Sequence, residues 1–118
     1  MGVDSNGKLQ ALQMMMYADQ GGKYDGGNGT LGAAFMAFDN TYYCPNVYVD
    51  GKVVKTNTAP NTSTRGPGWL QAIFTMEHIM EHISSVLNIP IDTVKVKRFV
   101  DAQTNGCYSN VISIKKDK

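Results

Sequence analysis

Cysteine is nearly absent from the 118 residues, with only Cys44 and Cys107. Two thiols so far apart build neither a secreted disulfide framework nor the paired spacing of a zinc or iron–sulfur site, so both are expected to be reduced and structural. Long apolar runs are missing as well. No segment approaches the roughly 18 consecutive apolar residues that cross a bilayer, and no basic stretch followed by an apolar run opens the chain. A cytoplasmic setting without a membrane partner is the expectation. Nor is there an excess of one charge: eleven Lys and Arg face ten Asp and Glu, a formal net charge of +1. Apart from Lys95, Lys97 and Arg98 and a tail of Lys115, Lys116 and Lys118, the basic residues are scattered. That leaves no nucleic-acid footprint, and without a basic groove Tyr42, Tyr43 and Tyr48 read as packing residues rather than a base-stacking platform.

What is present fits one folded unit. An apolar fraction of 42% with 18% charged residues is ordinary for a soluble domain, and a compact chain of this length buries roughly two thirds of its unfolded surface. Asn6-Gly7 is a strong turn signal, and the mostly apolar run from Lys8 to Asp19 behind it reads as a strand, buried on at least part of both faces. With only five residues ahead of Asn6, the strand's hairpin partner is expected to be missing, which leaves an open edge able to pair with another chain. Residues 20–32 hold six glycines and read as a loop. Ala33 to Phe38 could make one or two helical turns before Asp39-Asn40. Val47 to Asn57 carries strand formers around Asp50-Gly51, as in a small hairpin or in one strand with a glycine bulge.

The clearest element lies beyond a loop with almost nothing to bury, Thr58 to Gly68. Leu70, Ile73, Phe74, Met76, Ile79, Met80, Ile83, Val86 and Leu87 recur at spacings of three and four, which predicts a helix over about 67–87 with Gly66 as N-cap and Pro67 at the first helical position. Past Pro90 the pattern is divided: Val94 and Val96 alternate as in a strand, whereas Ile91, Val94 and Arg98 fit one helical face. The tail after Asn105-Gly106 has weak strand character.

Two constellations could carry chemistry. His78, Glu81 and His82 reproduce the H-x-x-E-H spacing that puts two imidazoles on one helical face around a zinc with a glutamate as base. A catalytic zinc needs a third protein ligand, however, and no glutamate follows Glu81. Interleaved with Met76, Met80 and Ile83, the cluster, Glu77 included, also reads as a solvated helix flank, and no metal ligand is assigned. The loop Asn57 to Gly68 is the stronger candidate. Gly66 and Gly68 permit close backbone approach, and the helix start behind them aims free N–H groups and a positive dipole end at an anionic or oxo group. Arg65 could act there through its side chain or its amide. A plain Gly-Pro helix start with no ligand accounts for the same residues. Neither histidine accompanies a Ser or Cys in a nucleophile-elbow motif, so a triad has little support.

The run Asp39 to Gly68, D-N-T-Y-Y-C-P-N-V-Y-V-D-G-K-V-V-K-T-N-T-A-P-N-T-S-T-R-G-P-G, resembles a signature of the xanthine dehydrogenase and aldehyde oxidase family. The similarity extends upstream through S-N-G-K-L-Q-A-L and downstream to about Val100. The resemblance implies that residues 1–118 are a partial molybdopterin-binding domain. The parent enzyme would hydroxylate aldehydes or N-heterocycles with water as oxygen donor, on a molybdenum–molybdopterin cofactor. It would also carry 2Fe–2S clusters and often FAD, none of them bound by this segment. On the same resemblance Arg65 and Gly66 are the cofactor-binding positions, the Arg65 amide lying beside the molybdenum ligands, and Ala33 and Pro67 fall in the substrate pocket. Two departures bear on substrate. Pro67 stands where the family has a phenylalanine that stacks on the ring, and Ala33 where xanthine dehydrogenases have a purine-binding arginine. Both purine contacts are therefore lost, and an aldehyde or other small substrate is easier to accommodate.

The family's general-base glutamate lies in a later segment, so no catalytic residue is assigned here and the chain alone is expected to be inactive. The expected fold is α+β: strand and hairpin elements packed with one long amphipathic helix, completed by the rest of the parent enzyme or by complementary chains. The alternative is a non-catalytic binding or interaction domain that keeps part of the fold.

Overall fold

A computed structural model describes residues 1–96. The signals read at Lys97, Arg98, Cys107, Asn105-Gly106 and the lysine tail lie outside them. In chain order the elements are β1 (Gly2–Val3), β2 (Leu9–Asp19), α1 (Gly27–Ala37), β3 (Val47–Val54) and α2 (Trp69–Leu87). The sheet order is β1-β2-β3, with β1 antiparallel and β3 parallel to β2. The α+β expectation holds.

The Asn6-Gly7 turn forms as read. Asp4 Oδ1 accepts from the Asn6 and Lys8 amides at 2.9 and 2.7 Å, and Gly7 takes the left-handed backbone that glycine allows, φ 79°. The expected loss of the hairpin partner is corrected, because Gly2 and Val3 pair with Ala11 and Leu9. They are only two residues, so β2 beyond Ala11 has no β1 neighbour.

Parallel neighbours need a crossover, and α1 supplies it, lying against both β2 and β3 while α2 packs against α1. Val47 to Val54 is one strand, in register from Leu12↔Val47 to Asp19↔Val54, so the hairpin alternative at Asp50-Gly51 is not adopted. Gly51 is there for space: a Cβ would come within 2.7 Å of the Phe35 ring and 3.1 Å of Leu31. The reading of residues 20–32 as loop is also corrected, since α1 begins at Gly27 and carries Ala33 to Ala37 as its last turns. Packing overrides propensity here. Leu31, Ala34, Phe35 and Ala37 are buried, and Gly27 lets the helix approach Val53, where a Cβ would stand 2.9 Å from Cγ1.

From Leu12 onward strand alternation is clear in β2, and one face is the covered one. Leu12 is covered and Met14, Met16 and Ala18 partly so, whereas Met15 and Tyr17 are exposed, as is Tyr48 opposite Gln13 on β3. Leu9, fully buried and three positions before Leu12, adds covered surface at the start of the strand, where the pairing with β1 is irregular.

One apolar cluster joins the elements, with Leu9, Val49, Met76, Met80 and Val94 as its fully covered large side chains. Each contributes roughly 1.5–3 kcal/mol relative to exposure. Val94 decides the element after Pro90. A strand would put Val94 and Val96 on one face, yet Val94 is 1% and Val96 61% exposed, and residues 91–96 are helical, with the Val94 amide donating to the Pro90 carbonyl at 3.2 Å.

Candidate functional site

Parallel strands end together, and in open α/β sheets ligands bind beyond their carboxyl ends. β2 and β3 both terminate at one side of the sheet, where the 20–26 and 55–68 segments leave and α1 begins. This end gathers the residues that the sequence places in one site.

The two segments are zipped together. The Gln20 amide donates to Val54, Thr56 to Gly21, Gly22 to Thr58 and Asn61 to Gln20, all at 2.9–3.1 Å. Gly21 has φ 75°, and a Cβ there would collide with the Ala59 carbonyl and stand 2.9 Å from Pro60 Cα. Asp19 fastens the zipper: Oδ1 accepts from the Thr56 hydroxyl at 2.6 Å and the Gly21 amide at 2.8 Å, and its own carbonyl accepts from Asn61 Nδ2 at 3.2 Å. The Thr56 hydroxyl, then the Gly21 amide, hold its carboxyl below the usual carboxylate range.

A folded-state pKa below the unfolded value means that the ionised form favours the closed loop. The contribution is present above pH 3.8, the ordinary value, and disappears as acid takes the pH down through the folded-state pKa. Amide exchange at Gly22 and Asn61, followed across that acid range, is expected to accelerate relative to exchange in α2. Equal acceleration in both would contradict the assignment.

Farther along, Ser63 meets the Thr30 hydroxyl at 3.1 Å, so the loop touches the first turns of α1. Arg65 and Gly66 are exposed on the turn, Pro67 is half-buried and Gly68 is buried. The N-cap of α2 is Gly68 and the helix begins at Trp69, which corrects the expectation of Gly66 as cap and Pro67 as first helical residue. The reason is backbone sign: Gly66 and Gly68 have φ 72° and 79°, which no right-handed helical residue adopts. Gly68 lies so close to α1 that a Cβ would collide with the Thr30 carbonyl and reach 3.1 Å from the Ala33 Cβ. The fold therefore brings Ala33 against the residue next to Pro67.

At Gly66 the surroundings are the opposite, with nothing within 4 Å of a Cβ position. Its carbonyl accepts from the Leu70 amide at 3.3 Å, but among the described residues no hydrogen bond uses the Arg65 or Gly66 N–H. Two adjacent amides are thus without a hydrogen-bond partner among the described residues, just ahead of a 19-residue helix. Unpaired backbone N–H groups ahead of a helix start are, in general, a place where an anionic or oxo group can sit.

The H-x-x-E-H residues form no comparable site. His78, Glu81 and His82 are exposed, and the His78 ring stacks on Phe74 with centroids 6.2 Å apart. Among the described residues no three His, Cys, Asp or Glu side chains are placed to share a metal. Glu77 is more than a solvated flank. Its Oε1 accepts from Asn40 Nδ2 at 2.9 Å and the Tyr42 hydroxyl at 2.7 Å, and Lys95 Nζ lies 2.7 Å from Oε2. Burial opposes its charge, yet the Lys95, Tyr42 and Asn40 donors outweigh that and hold its carboxyl below the usual range. Cys44 is buried, which pushes its thiol up and away from reactivity. A cleft of about 540 Å³ lies by the amino end of β3, among Met1, Ala11, Gln13, Pro45 and Tyr48. Among the described residues no carboxylate, imidazole or thiol side chain lines it, and the Arg65 turn is at the other end of the strand, so size does not make it the site.

Sequence reasoning missed Asp19, Thr56 and Asn61. The signal was present, because an aspartate two residues before a glycine in a strand exit favours an Asx turn.

The class defined so far is an α+β unit with an exposed glycine turn, its amides unpaired among the described residues, beyond its parallel strand ends. Residues 1–99 match the family model described as molybdopterin cofactor-binding domain, and the chain belongs to that family. It is 37% identical over 115 residues to a xanthine dehydrogenase of Dictyostelium discoideum, covering 95% of this chain and 8% of that protein. To nicotinate hydroxylase of Emericella nidulans it is 33% identical, covering 94% of this chain and 8% of the relative. To aldehyde oxidase 3 of Mus musculus it is 32% identical, covering 80% and 7%. The chain thus spans less than a tenth of the length of these relatives. Among the described residues no helix is long and apolar enough to cross a membrane.

Proposed function

We propose that residues 1–118 form a partial molybdopterin-binding domain of a larger, cytoplasmic molybdenum hydroxylase, and that the Arg65 turn contributes part of the cofactor pocket. The observation that carries this reading is the pair of unused N–H groups of Arg65 and Gly66, open on one side and backed by the start of α2. The residues fit the group: fixed amide dipoles favour an oxo or hydroxo ligand, and glycine at 66 leaves room for it.

When bound, the cofactor supplies the oxidising power for hydroxylation with water as the oxygen source. The chain's own part is to hold and orient. Arg65 and Gly66 present amides, while Ala33 and Pro67 shape the substrate side with short side chains that offer neither an aromatic face nor a positive charge to a purine. An aldehyde or a small N-heterocycle suits such a pocket. Glu77 is engaged by three donors, so it is not the base, and proton abstraction falls to another segment of the parent. The isolated chain is accordingly inactive.

The test is molybdenum and pterin analysis of the purified parent polypeptide alongside this chain alone. Cofactor in the parent, with no hydroxylation by the isolated chain, is the expected result. A parent free of molybdenum overturns the proposal.

A further inference from the structure

The Arg65 turn belongs to a long loop with little apolar burial of its own, so something else must fix its place. Residues 57–66 are all exposed. Gly68 anchors the far end of the loop against α1, and Thr30 meets Ser63 through a neutral hydroxyl pair. At the near end one side chain joins both strand exits. Asp19, the last residue of β2, takes the Gly21 amide from its own exit turn and the Thr56 hydroxyl from the exit of β3. Its backbone carbonyl holds Asn61, four positions ahead of Arg65. Thr56 in turn lies 3.0 Å from the Thr58 hydroxyl, which extends the link along the loop.

We propose that Asp19 is a positioning residue for the Arg65 turn: without touching a ligand, it fixes where the loop leaves the sheet and so where the two open amides stand. This rests on the reading of that turn as part of the cofactor pocket. A carboxylate is suited to the task because one oxygen can accept from two donors on different segments. Asparagine keeps an acceptor oxygen in the same place, whereas alanine keeps none.

The experiment uses the full parent protein with Asp19→Ala, Asp19→Asn and Thr56→Val, the last removing one donor while keeping a branched side chain. Two quantities are read: amide exchange at Gly22, Thr56 and Asn61, and molybdenum bound per chain. Asp19→Ala is expected to speed exchange at these three amides by tenfold or more, leave the α2 amides unchanged and lower molybdenum retention at least threefold. Asp19→Asn, which keeps the acceptor oxygen but not the charge, is expected to recover both in part, and Thr56→Val to shift both in the direction of alanine by a smaller factor. Unchanged loop exchange in Asp19→Ala, acceleration spreading through α2, or asparagine retaining no more molybdenum than alanine overturns the inference. A wild-type parent without molybdenum defeats the functional reading instead, and the exchange data still judge the clamp.

Discussion

Replacing Gly68 with alanine is expected to lower the unfolding free energy by roughly 2–5 kcal/mol, the sum of a conformational and a steric cost. The first comes from φ 79°, which leaves a side-chain-bearing residue in the left-handed region at about 1–2 kcal/mol. The second comes from α1. The new methyl group would run into the Thr30 carbonyl and stand 2.7 Å from the Ala34 nitrogen, both backbone atoms of a packed helix, so the helices must separate. Forced overpacking of that kind costs about 1–3 kcal/mol. Gly66→Ala separates the two effects: with φ 72° and open space around it, the change should cost only about 1–2 kcal/mol. Urea denaturation of the three proteins, followed by the helical circular dichroism signal, measures the difference. Equal losses at Gly66 and Gly68 would show that α1 and the loop are not in contact.

Met80→Ala should be comparably damaging for a different reason. Met80 is completely buried in α2, within the cluster that joins the sheet and both helices. Large-to-small truncation there removes transfer energy and leaves a cavity, at about 2–5 kcal/mol. For a chain of this size that lowers Tm by roughly 10–20 °C. Phe74 is the control, on the same helix and larger, but 70% exposed. Its change to alanine should stay within about 0.5 kcal/mol. Thermal melts of both variants decide the matter, and a Phe74→Ala loss equal to that of Met80→Ala would mean that α2 is turned the other way.

The features legible in the sequence were those in which local pattern and tertiary demand agree. α2 could be read because Met76, Met80 and Ile83 recur at the spacing that buries one stripe, and the Asn57 to Gly68 loop because it holds almost nothing to bury. α1 was hidden by its own chemistry. Gly27, Gly29 and Gly32 argue against a helix, yet Gly27 is what allows close contact with Val53. Asp50-Gly51 left a hairpin and a single strand both open for a related reason: the dipeptide that favours a tight turn here makes room for Phe35. Helix packing, not turn chemistry, explains that glycine. Of the proposed site, Arg65, Gly66 and Pro67 were assigned from the family motif they resemble, and Ala33 from the same resemblance. Asp19 was legible only as a local turn former, because its partners Thr56 and Asn61 lie far along the chain and meet it only once β2 and β3 are in register.

The uncovered side of the sheet has a practical consequence for handling the chain. Met15, Tyr17 and Tyr48 present sticky side chains to solvent, while a net charge of +1 and an isoelectric point near 7.7 provide almost no mutual repulsion at neutral pH. Purification therefore belongs in dilute solution, at a pH well removed from that point, or with a solubilising fusion partner in place before exchange or melting experiments begin.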